Sequence, residues 1–281
     1  MTLEDEFCDI VKKARMGQGY SIAEVAQKAD LSNKELEALE KGSRPPSAKE
    51  VEAIGCALQL KTKPLTEITI EGWVPESLPN WVDGLVVTVM GDIGGYAVKG
   101  YVLYDSHSQE AVLIDTAYNA GAMLTVLKER GLQLRGVCLT HGHADHAGGL
   151  DRILGKWPVP VYLGEGDFPL LPWKPPRETL SVPSQGQTIS VGNLTVECVA
   201  TPGHTPGGFC YKVQHAGQDL CFVGDTLFAG SIGRSNPFSL YPRHLDSVRQ
   251  SVLQLPNGTV LLPGHGPATT VKEEVAHNPF G

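Results

Sequence analysis

Four side chains that can bind a metal ion lie within six residues of one another, namely His141, His143, Asp145 and His146. They follow the apolar run Val137–Leu139, which is typical of a buried strand. Imidazole and carboxylate groups that leave water need partners, and a divalent cation can serve several of them at once. His141 and His143 can reach one ion from an extended stretch, whereas Asp145 and His146 stand at a helix start and can face a second ion. The segment therefore predicts a metal site at the end of a strand.

Three more candidate ligands stand at the ends of apolar runs and next to glycine, namely His204, Asp225 and His265. Small neighbouring residues let the backbone approach a bound ion closely. The complete set of five histidines and two aspartates suits two metal ions that share one bridging carboxylate. We expect two divalent ions, with zinc as the first candidate, while iron and manganese also accept such mixed ligands.

The elements that must position these ligands are short strands. Beyond residue 84, apolar and β-branched runs are bounded by turn residues, and this pattern predicts strands. The runs cover residues 85–90, 100–104, 111–114, 136–140, 159–163, 194–199, 208–213, 220–223 and 259–262. Helical patterns over 121–130 and 245–253 separate some of them. Strands interspersed with helices predict an α/β domain with layered sheets.

The first 60 residues have a different, helical spacing of apolar residues. This spacing predicts four helices, over residues 6–16, 21–29, 32–40 and 47–60. Ser21 and Glu24 form a capping box, and a tight turn at Asp30–Leu31 joins the second helix to the third, as in a helix-turn-helix. The proline-containing stretch 61–83 is predicted to be a linker. We place the domain boundary inside it, with one domain over 1–65 and the other over 66–281.

Further motifs accompany the ligand segments in the second domain. They are Ile114-Asp115-Thr116, the stretch Gly224–Arg234, the tail Gly264–Thr270 and Asn278-Pro279-Phe280. With them, this domain resembles the metallo-β-lactamase superfamily, and within it the glyoxalase II-like hydrolases. The resemblance implies an α/β fold of the four-layer αββα sandwich type, with the metal ions at one rim.

The same resemblance implies how the ligands are shared between two ions. The first ion would be held by His141, His143 and His204, the second by Asp145, His146 and His265, and Asp225 would bridge the two. Asp115 would orient the ligand loop through hydrogen bonds.

The N-terminal domain resembles the helix-turn-helix domain of lambda repressor and Cro. The resemblance is carried by residues 21–26, 29–36, 39–46 and 54–58. It implies DNA binding, with Asn33 and Lys34 at the base edges and Arg44 or Lys12 near phosphate. Residues 1–60 hold eight basic and eleven acidic residues, a net charge of −3, whereas phosphate binding favours a positive domain. We therefore expect a homodimer that reads two half-sites, and the alternative is a module for dimerisation or docking.

The metal set predicts an acyl hydrolase. Two dications can supply hydroxide at neutral pH, and a thiolate leaves without much help from an acid, so we expect a small-molecule thioester or ester substrate. Asp145 is predicted to bind metal and to orient the nucleophile. Arg234 is the expected anion-binding residue, the alternative being a structural salt bridge. Trp173 lies in a proline-stiffened segment, 168–176, that we expect to form a wall or lid, the alternative being a packing loop.

Two other functions remain open at this stage. One is an oxygenase similar to persulfide dioxygenases, with a single iron ion. The other is a transcriptional regulator in which the metal domain only senses a ligand. Metal stoichiometry separates the first alternative from a hydrolase, and turnover of a thioester or lactone separates both enzymes from a sensor.

Composition restricts where the protein acts. The net charge of −8 disfavours a chain that coats nucleic acid or anionic membrane over its whole surface. The sequence shows neither a secretory signal nor an apolar run of about 18 residues, so we expect no membrane partner, and a secreted β-lactamase is disfavoured. Six scattered cysteines predict reduced thiols and a cytoplasmic location. The remaining histidines are predicted to lie at the surface: His107, His215, His244 and His277.

Overall fold

The computed structural model describes residues 2–281 and begins with five short helices. They are α1 (Phe7–Gly17), α2 (Ile22–Lys28), α3 (Asn33–Glu40), α4 (Ala48–Ala57) and α5 (Thr62–Thr66). The first four lie where the apolar spacing predicts them. α2, α3 and α4 each begin at a serine whose hydroxyl caps the helix, with a glutamate three residues later completing the capping box. The α2–α3 turn is tight because Asp30 adopts a left-handed φ of 54° and the amide of Leu31 donates to the carbonyl of Ala26 (2.9 Å). These helices form the predicted helix-turn-helix.

The stretch that we predicted to be a linker is helical over its first half. α5 continues as a π-helical segment, Glu67–Glu71, before Gly72 ends it with a left-handed φ of 71°. Pro64 is tolerated because it lies in the first turn of α5, where backbone amides have no partner within the helix. The expected boundary after residue 65 falls inside this continuous helical segment.

The prediction that His277 lies free at the surface is wrong. Its Nδ1 atom is 2.7 Å from the Glu67 carboxylate, and its ring stacks on Trp73 with the ring centroids 4.7 Å apart. His107 and His215 are exposed as predicted.

The first sheet has six strands in sequence order. They are β1 (Val86–Ile93), β2 (Tyr96–Asp105), β3 (Glu110–Ile114), β4 (Gln133–Cys138), β5 (Val161–Tyr162) and β6 (Leu180–Ser181). β1 to β3 are antiparallel, whereas β3 to β6 are parallel to one another. The parallel part brings the ends of β3 and β4 to one edge of the sheet.

The second sheet also has six strands, in the order β12-β11-β10-β9-β8-β7. They are β7 (Thr188–Val191), β8 (Leu194–Ala200), β9 (Phe209–His215), β10 (Gln218–Gly224), β11 (Val260–Pro263) and β12 (Thr269–Thr270). β10 and β11 are parallel, and the other neighbours are antiparallel. β6, β7 and β12 are absent from the predicted strands, because two of them have only two residues and β7 has four.

Helices cover the outer faces of the two sheets. They are α6 (Ala120–Glu129), α7 (Ala144–Ala147), α8 (Leu150–Lys156), α9 (Tyr241–Asp246, continued by Ser247–Val252) and α10 (Val271–His277). One apolar cluster fills the space between the sheets, with Leu103 and Ile114 against Tyr211 and Phe222. A second lies under α6 and α8. The result is the expected four-layer αββα sandwich.

The N-terminal helices share the third apolar cluster with the second sheet. Side chains of α1 to α5 pack together with Cys210 and Cys221 of that sheet and with Tyr241 and Val248 of the helix outside it. The helical domain is therefore part of the outer layer of the sandwich and has no separate core. None of the helices formed by residues 2–281 has the length and apolar character that crossing a bilayer requires.

Gly17, the last residue of α1, shows how closely the two parts fit. A Cβ atom at this position would lie 2.3 Å from Cγ and from Cδ2 of the Tyr241 ring. We predict that Gly17→Ala lowers the free energy of unfolding by about 1–3 kcal/mol, because the inserted methyl group overpacks this contact. Urea titration followed by circular dichroism measures the change. Gly155→Ala is the matched control, since its added methyl group meets no atom within 4 Å. Equal stability of the two variants would contradict the predicted contact.

Candidate metal centre

Seven predicted ligands come together at one edge of the two sheets. His141 and His143 follow β4, and Asp145 and His146 lie on α7 directly afterwards. The remaining three occupy the β8–β9 loop and the ends of β10 and β11, at positions His204, Asp225 and His265. Their ligand atoms form three overlapping groups, and within each group these atoms lie within 4.8 Å of one another. Residues that are far apart in the sequence therefore occupy the positions that a metal site requires.

The first group contains His141, His143 and His204. Nδ1 of His204 donates to the carbonyl of Arg234 (2.8 Å), so its Nε2 is an acceptor in the neutral ring. This Nε2 lies 3.1 Å from Nδ1 of His143. Burial lowers the pKa of His204 to about 3, and burial together with neighbouring imidazoles holds the pKa of His141 well below its ordinary value. Neutral rings have lone pairs available for a cation.

The second group contains His146, Asp225 and His265. Nδ1 of His146 donates to Asp115 Oδ2 (2.8 Å), and Nδ1 of His265 donates to the carbonyl of Ala97 (2.7 Å). Both rings therefore direct an Nε2 atom inward, and the two atoms are 3.3 Å apart. Burial lowers the pKa of His146, but Asp225 and Asp115 outweigh it and hold the pKa well above its ordinary value. A metal cation bound to these two Nε2 atoms would therefore displace a proton.

Asp225 belongs to the second group and also approaches His204 of the first group. Its Oδ1 atom is 3.2 Å from Nε2 of His146, and its Oδ2 atom is 3.6 Å from Nε2 of His204. Burial alone would raise the pKa of Asp225, but His146 and His265 outweigh it and hold the pKa well below its ordinary value. Asp225 therefore carries a negative charge in the position of a bridging ligand. Asp145 is less buried, and its Oδ2 atom is 3.3 Å from Nε2 of His265.

Two buried polar atoms of this cluster have no hydrogen-bond partner within residues 2–281. They are Nε2 of His141 and Oδ1 of Asp225, one on each side of the cluster. A buried acceptor without a partner costs about 1–3 kcal/mol, and native proteins leave few of them. The donor set and these unpartnered atoms fit two divalent cations.

Asp115 has the contacts that its predicted role requires. It follows β3 with a left-handed φ of 56°. Besides His146, its carboxylate accepts hydrogen bonds from the amide and the hydroxyl of Thr140, both at 2.7 Å. It therefore connects the start of the ligand loop to α7.

Asp167 was missed in the sequence, and it holds two ligand loops together. It is fully buried in a 3₁₀ segment, Glu165–Leu170. Its carboxylate accepts from the amide of Gly142 (3.1 Å), the amide of Gly207 (2.7 Å) and the hydroxyl of Thr205 (2.6 Å). Gly142 lies between two ligands, and Thr205 follows a third. The local sequence is that of a surface turn and gives no signal of this role.

His244 corrects another prediction, because it is fully buried and not a surface residue. Its Nε2 atom donates to the carbonyl of Thr226 (2.8 Å), directly after Asp225, and its Nδ1 atom accepts from Ser235 (3.1 Å). Burial lowers its pKa to about 4, so the ring is neutral. The spacing of Tyr241, His244 and Val248 is that of one helix face and could have indicated burial.

The two predicted substrate-binding residues differ in their placement. Arg234 is exposed beside the cluster, and its backbone carbonyl accepts the hydrogen bond from His204. Its guanidinium forms no ion pair with any residue of 2–281. Trp173 lines a groove with residues of α8 and residues 158–160, and none of the seven candidate ligands lines this groove. The structure does not test the prediction that Trp173 contacts substrate, which stays a prediction.

The predicted DNA contacts are available at the surface. Asn33 and Lys34 are exposed at the start of α3, and their side chains have no hydrogen-bond or ion-pair partner within residues 2–281. Lys12 is also exposed, whereas Arg44 forms an ion pair with Glu50.

Comparison with known proteins agrees with this architecture. A family profile described as the metallo-beta-lactamase superfamily matches residues 93–265, and one described as helix-turn-helix matches residues 11–65. The chain therefore belongs to the metallo-beta-lactamase superfamily and carries an N-terminal helix-turn-helix.

Individual relatives are similar to the metal-binding part. The probable metallo-hydrolase YqgX of Bacillus subtilis is 32% identical, over 67% of this chain and 94% of the relative. Hydroxyacylglutathione hydrolase GloC of Haemophilus influenzae is 30% identical, over 61% of this chain and 87% of the relative. Among solved structures, TTHA1623 in a di-iron-bound form is 28% identical with a TM-score of 0.60, over 69% of this chain and all of that one. The class of metal-dependent hydrolases is thus supported.

We predict that Asp167→Asn weakens metal binding by about 10- to 100-fold, because an amide nitrogen cannot accept the hydrogen bonds that fix the ligand loops. Titration against a chromophoric chelator measures the affinity. Asp83→Asn is the control, since Asp83 is exposed and makes no ion pair within the described residues. Unchanged affinity in Asp167→Asn would show that the loops keep their geometry without this carboxylate.

Proposed function

We propose that the protein is a dinuclear metal-dependent hydrolase of a small-molecule thioester or ester. The observation that carries this proposal is the position of Asp225 between two groups of inward-facing imidazoles. His141, His143 and His204 would hold one ion, and Asp225 would be shared. Asp145, His146 and His265 would hold the other. Zinc is the first candidate, and the di-iron form of a similar structure keeps iron open.

The bound ions would supply hydroxide near neutral pH and would polarise the acyl carbonyl. The chain itself orients the reactants. Asp145 is the most accessible carboxylate of the cluster, with a side chain 22% exposed, so it can accept a hydrogen bond from the attacking water and fix its direction. Arg234 offers a free positive charge beside His204, where an anionic group of the substrate can bind.

A thioester is favoured over an amide by the chemistry of the leaving group. A thiolate leaves near its own pKa and needs little proton donation, and the cluster provides no buried acid that is free to donate one. The similarity to GloC, named a hydroxyacylglutathione hydrolase, supports the same class. The acyl group itself is not part of this proposal.

We predict two metal ions per chain by elemental analysis and turnover of thioesters by the metal-loaded protein. Asp225→Ala should reduce kcat by at least about 100-fold, because both ions lose a shared ligand. Asp83→Asn serves again as the control. One ion per chain, together with oxygen consumption in the presence of a persulfide and no acyl turnover, would favour the oxygenase alternative instead.

We also propose that the helix-turn-helix binds DNA as a homodimer. The start of α3 presents Asn33 and Lys34 without partners in the described chain, which is the arrangement that base contacts need. With a net charge of −3 over residues 1–60, one copy has little non-specific affinity, so two half-sites about 34 Å apart would be read together.

The expected result is binding to DNA from the region flanking its own gene, with an affinity that falls as salt increases. Asn33→Ala combined with Lys34→Ala should weaken it by at least tenfold, since each base contact is worth about 1–3 kcal/mol. Fluorescence anisotropy measures it, with Glu52→Gln as a control on the same domain. An unchanged affinity in the double variant, or no binding at low salt, would leave this domain as a docking module. DNA binding that responds to thioesters without any turnover would favour the sensor alternative.

A further inference from the structure

The segment ahead of α1 reaches the metal centre. Thr2 and Glu4 lie beside Gly266, the residue after His265. Gly266, which has a left-handed φ of 65°, is in contact with Glu4: a Cβ atom built at Gly266 would be 2.9 Å from Cβ and 3.1 Å from the amide nitrogen of Glu4. The helical domain thus provides part of the rim on the His265 side.

The neighbouring residues hold this segment firmly. Asp5 is buried, and it accepts hydrogen bonds from the hydroxyl of Ser231 and from the ammonium group of Lys13. Lys13 also donates to the carbonyl of Ile232 (2.8 Å) and lies 5.0 Å from the ring centroid of Phe228. Because these partners follow Asp225 in sequence, the segment is fixed to the loop after the candidate bridging ligand.

Glu4 carries a negative charge at this rim. The residue is exposed, and it forms no ion pair within residues 2–281. Desolvation raises its pKa, whereas His265, the residue before Gly266, lowers it. Lys99 is the nearby cation, and its ammonium group donates to the carbonyl of Gly266.

The relatives indicate that this contribution is additional to the family site. YqgX matches 67% of this chain with 94% of its own length, so it is too short to contain a helical domain of this size as well. Arg234, in contrast, lies within the family match and stands on the His204 side. Arg234 therefore places a positive charge on the His204 side, whereas Glu4 places a negative charge, next to Lys99, on the His265 side.

We propose that Glu4 is a specificity-determining residue of the metal-centre cleft. Its negative charge disfavours substrates that place an anionic group on the His265 side. This inference rests on the proposed thioester hydrolysis. The preferred substrate carries its negative charge toward Arg234 and a neutral or cationic group toward Glu4. The choice of substrate thus depends on the helical domain as well as on the hydrolase fold.

The test compares acetyl thioesters of two thiols, 2-mercaptoethanol, which is neutral, and 3-mercaptopropionate, which is anionic. In Glu4→Gln, the ratio of kcat/KM for the anionic over the neutral ester should rise by about two- to fivefold, which is the usual strength of an exposed charge interaction. Glu4→Lys should raise it further, and salt should reduce both differences. Glu52→Gln, the same change on α4, should keep the ratio of the unmodified protein.

Binding of the two free thiols to the metal-loaded protein, measured by calorimetry, gives a readout that does not need turnover. The dissociation constants should shift in the same direction and by a similar factor. If the unmodified protein hydrolyses neither these esters nor the other thioesters assayed for the proposed function, that function fails, while the thiol titrations still decide the role of Glu4. Ratios and dissociation constants in both Glu4 variants that match those of Glu52→Gln at low salt would overturn the inference.

Discussion

The structure depends on the convergence of imidazole nitrogens at one edge of the two sheets. Each buried ring uses its Nδ1 atom for a fixed outer partner, which directs its Nε2 atom inward. The partners are the hydroxyl of Thr140 for His141, the carboxylate of Asp115 for His146, the carbonyl of Arg234 for His204 and the carbonyl of Ala97 for His265. These partners come from four separate segments, so the sandwich must bring all of them to one edge before the site exists. Without a metal ion, a proton on His146 and the negative charge of Asp225 offset the repulsion between the inward nitrogens.

Outer carboxylates make this arrangement rigid. Asp115 connects the ligand loop to α7, and Asp167 connects the same loop to the loop of His204. Both carboxylates are buried, which would be costly without hydrogen bonds, and each accepts three or more. His244 adds a neutral donor behind Asp225. The positions of the candidate ligands are therefore determined by residues that would not touch the ions.

The sequence contained the ligands but not the groups that hold them. His141, His143 and His146 could be found because ligand-type residues are dense after one apolar run, and three of the helices because serine caps mark their starts. Asp167 and His244 could not be found in this way, since their roles arise from contacts between segments far apart in the chain. Pro64 contributed to the incorrect prediction of a linker, because a proline in the first turn of a helix does not interrupt its hydrogen bonding.

α1 connects the candidate metal centre to the helix-turn-helix. It begins two residues after Asp5 at the metal rim, and near its other end Arg15 makes a two-pronged ion pair with Glu40, the last residue of α3. Eleven helical residues span about 16 Å, and both attachments are largely buried. Because α1 is one continuous helix with a largely buried ion pair at each attachment, it contains no flexible segment between the two attachments. Any displacement of the rim must therefore either be resisted by the shared apolar core or be carried to the face of α3 that is turned outward.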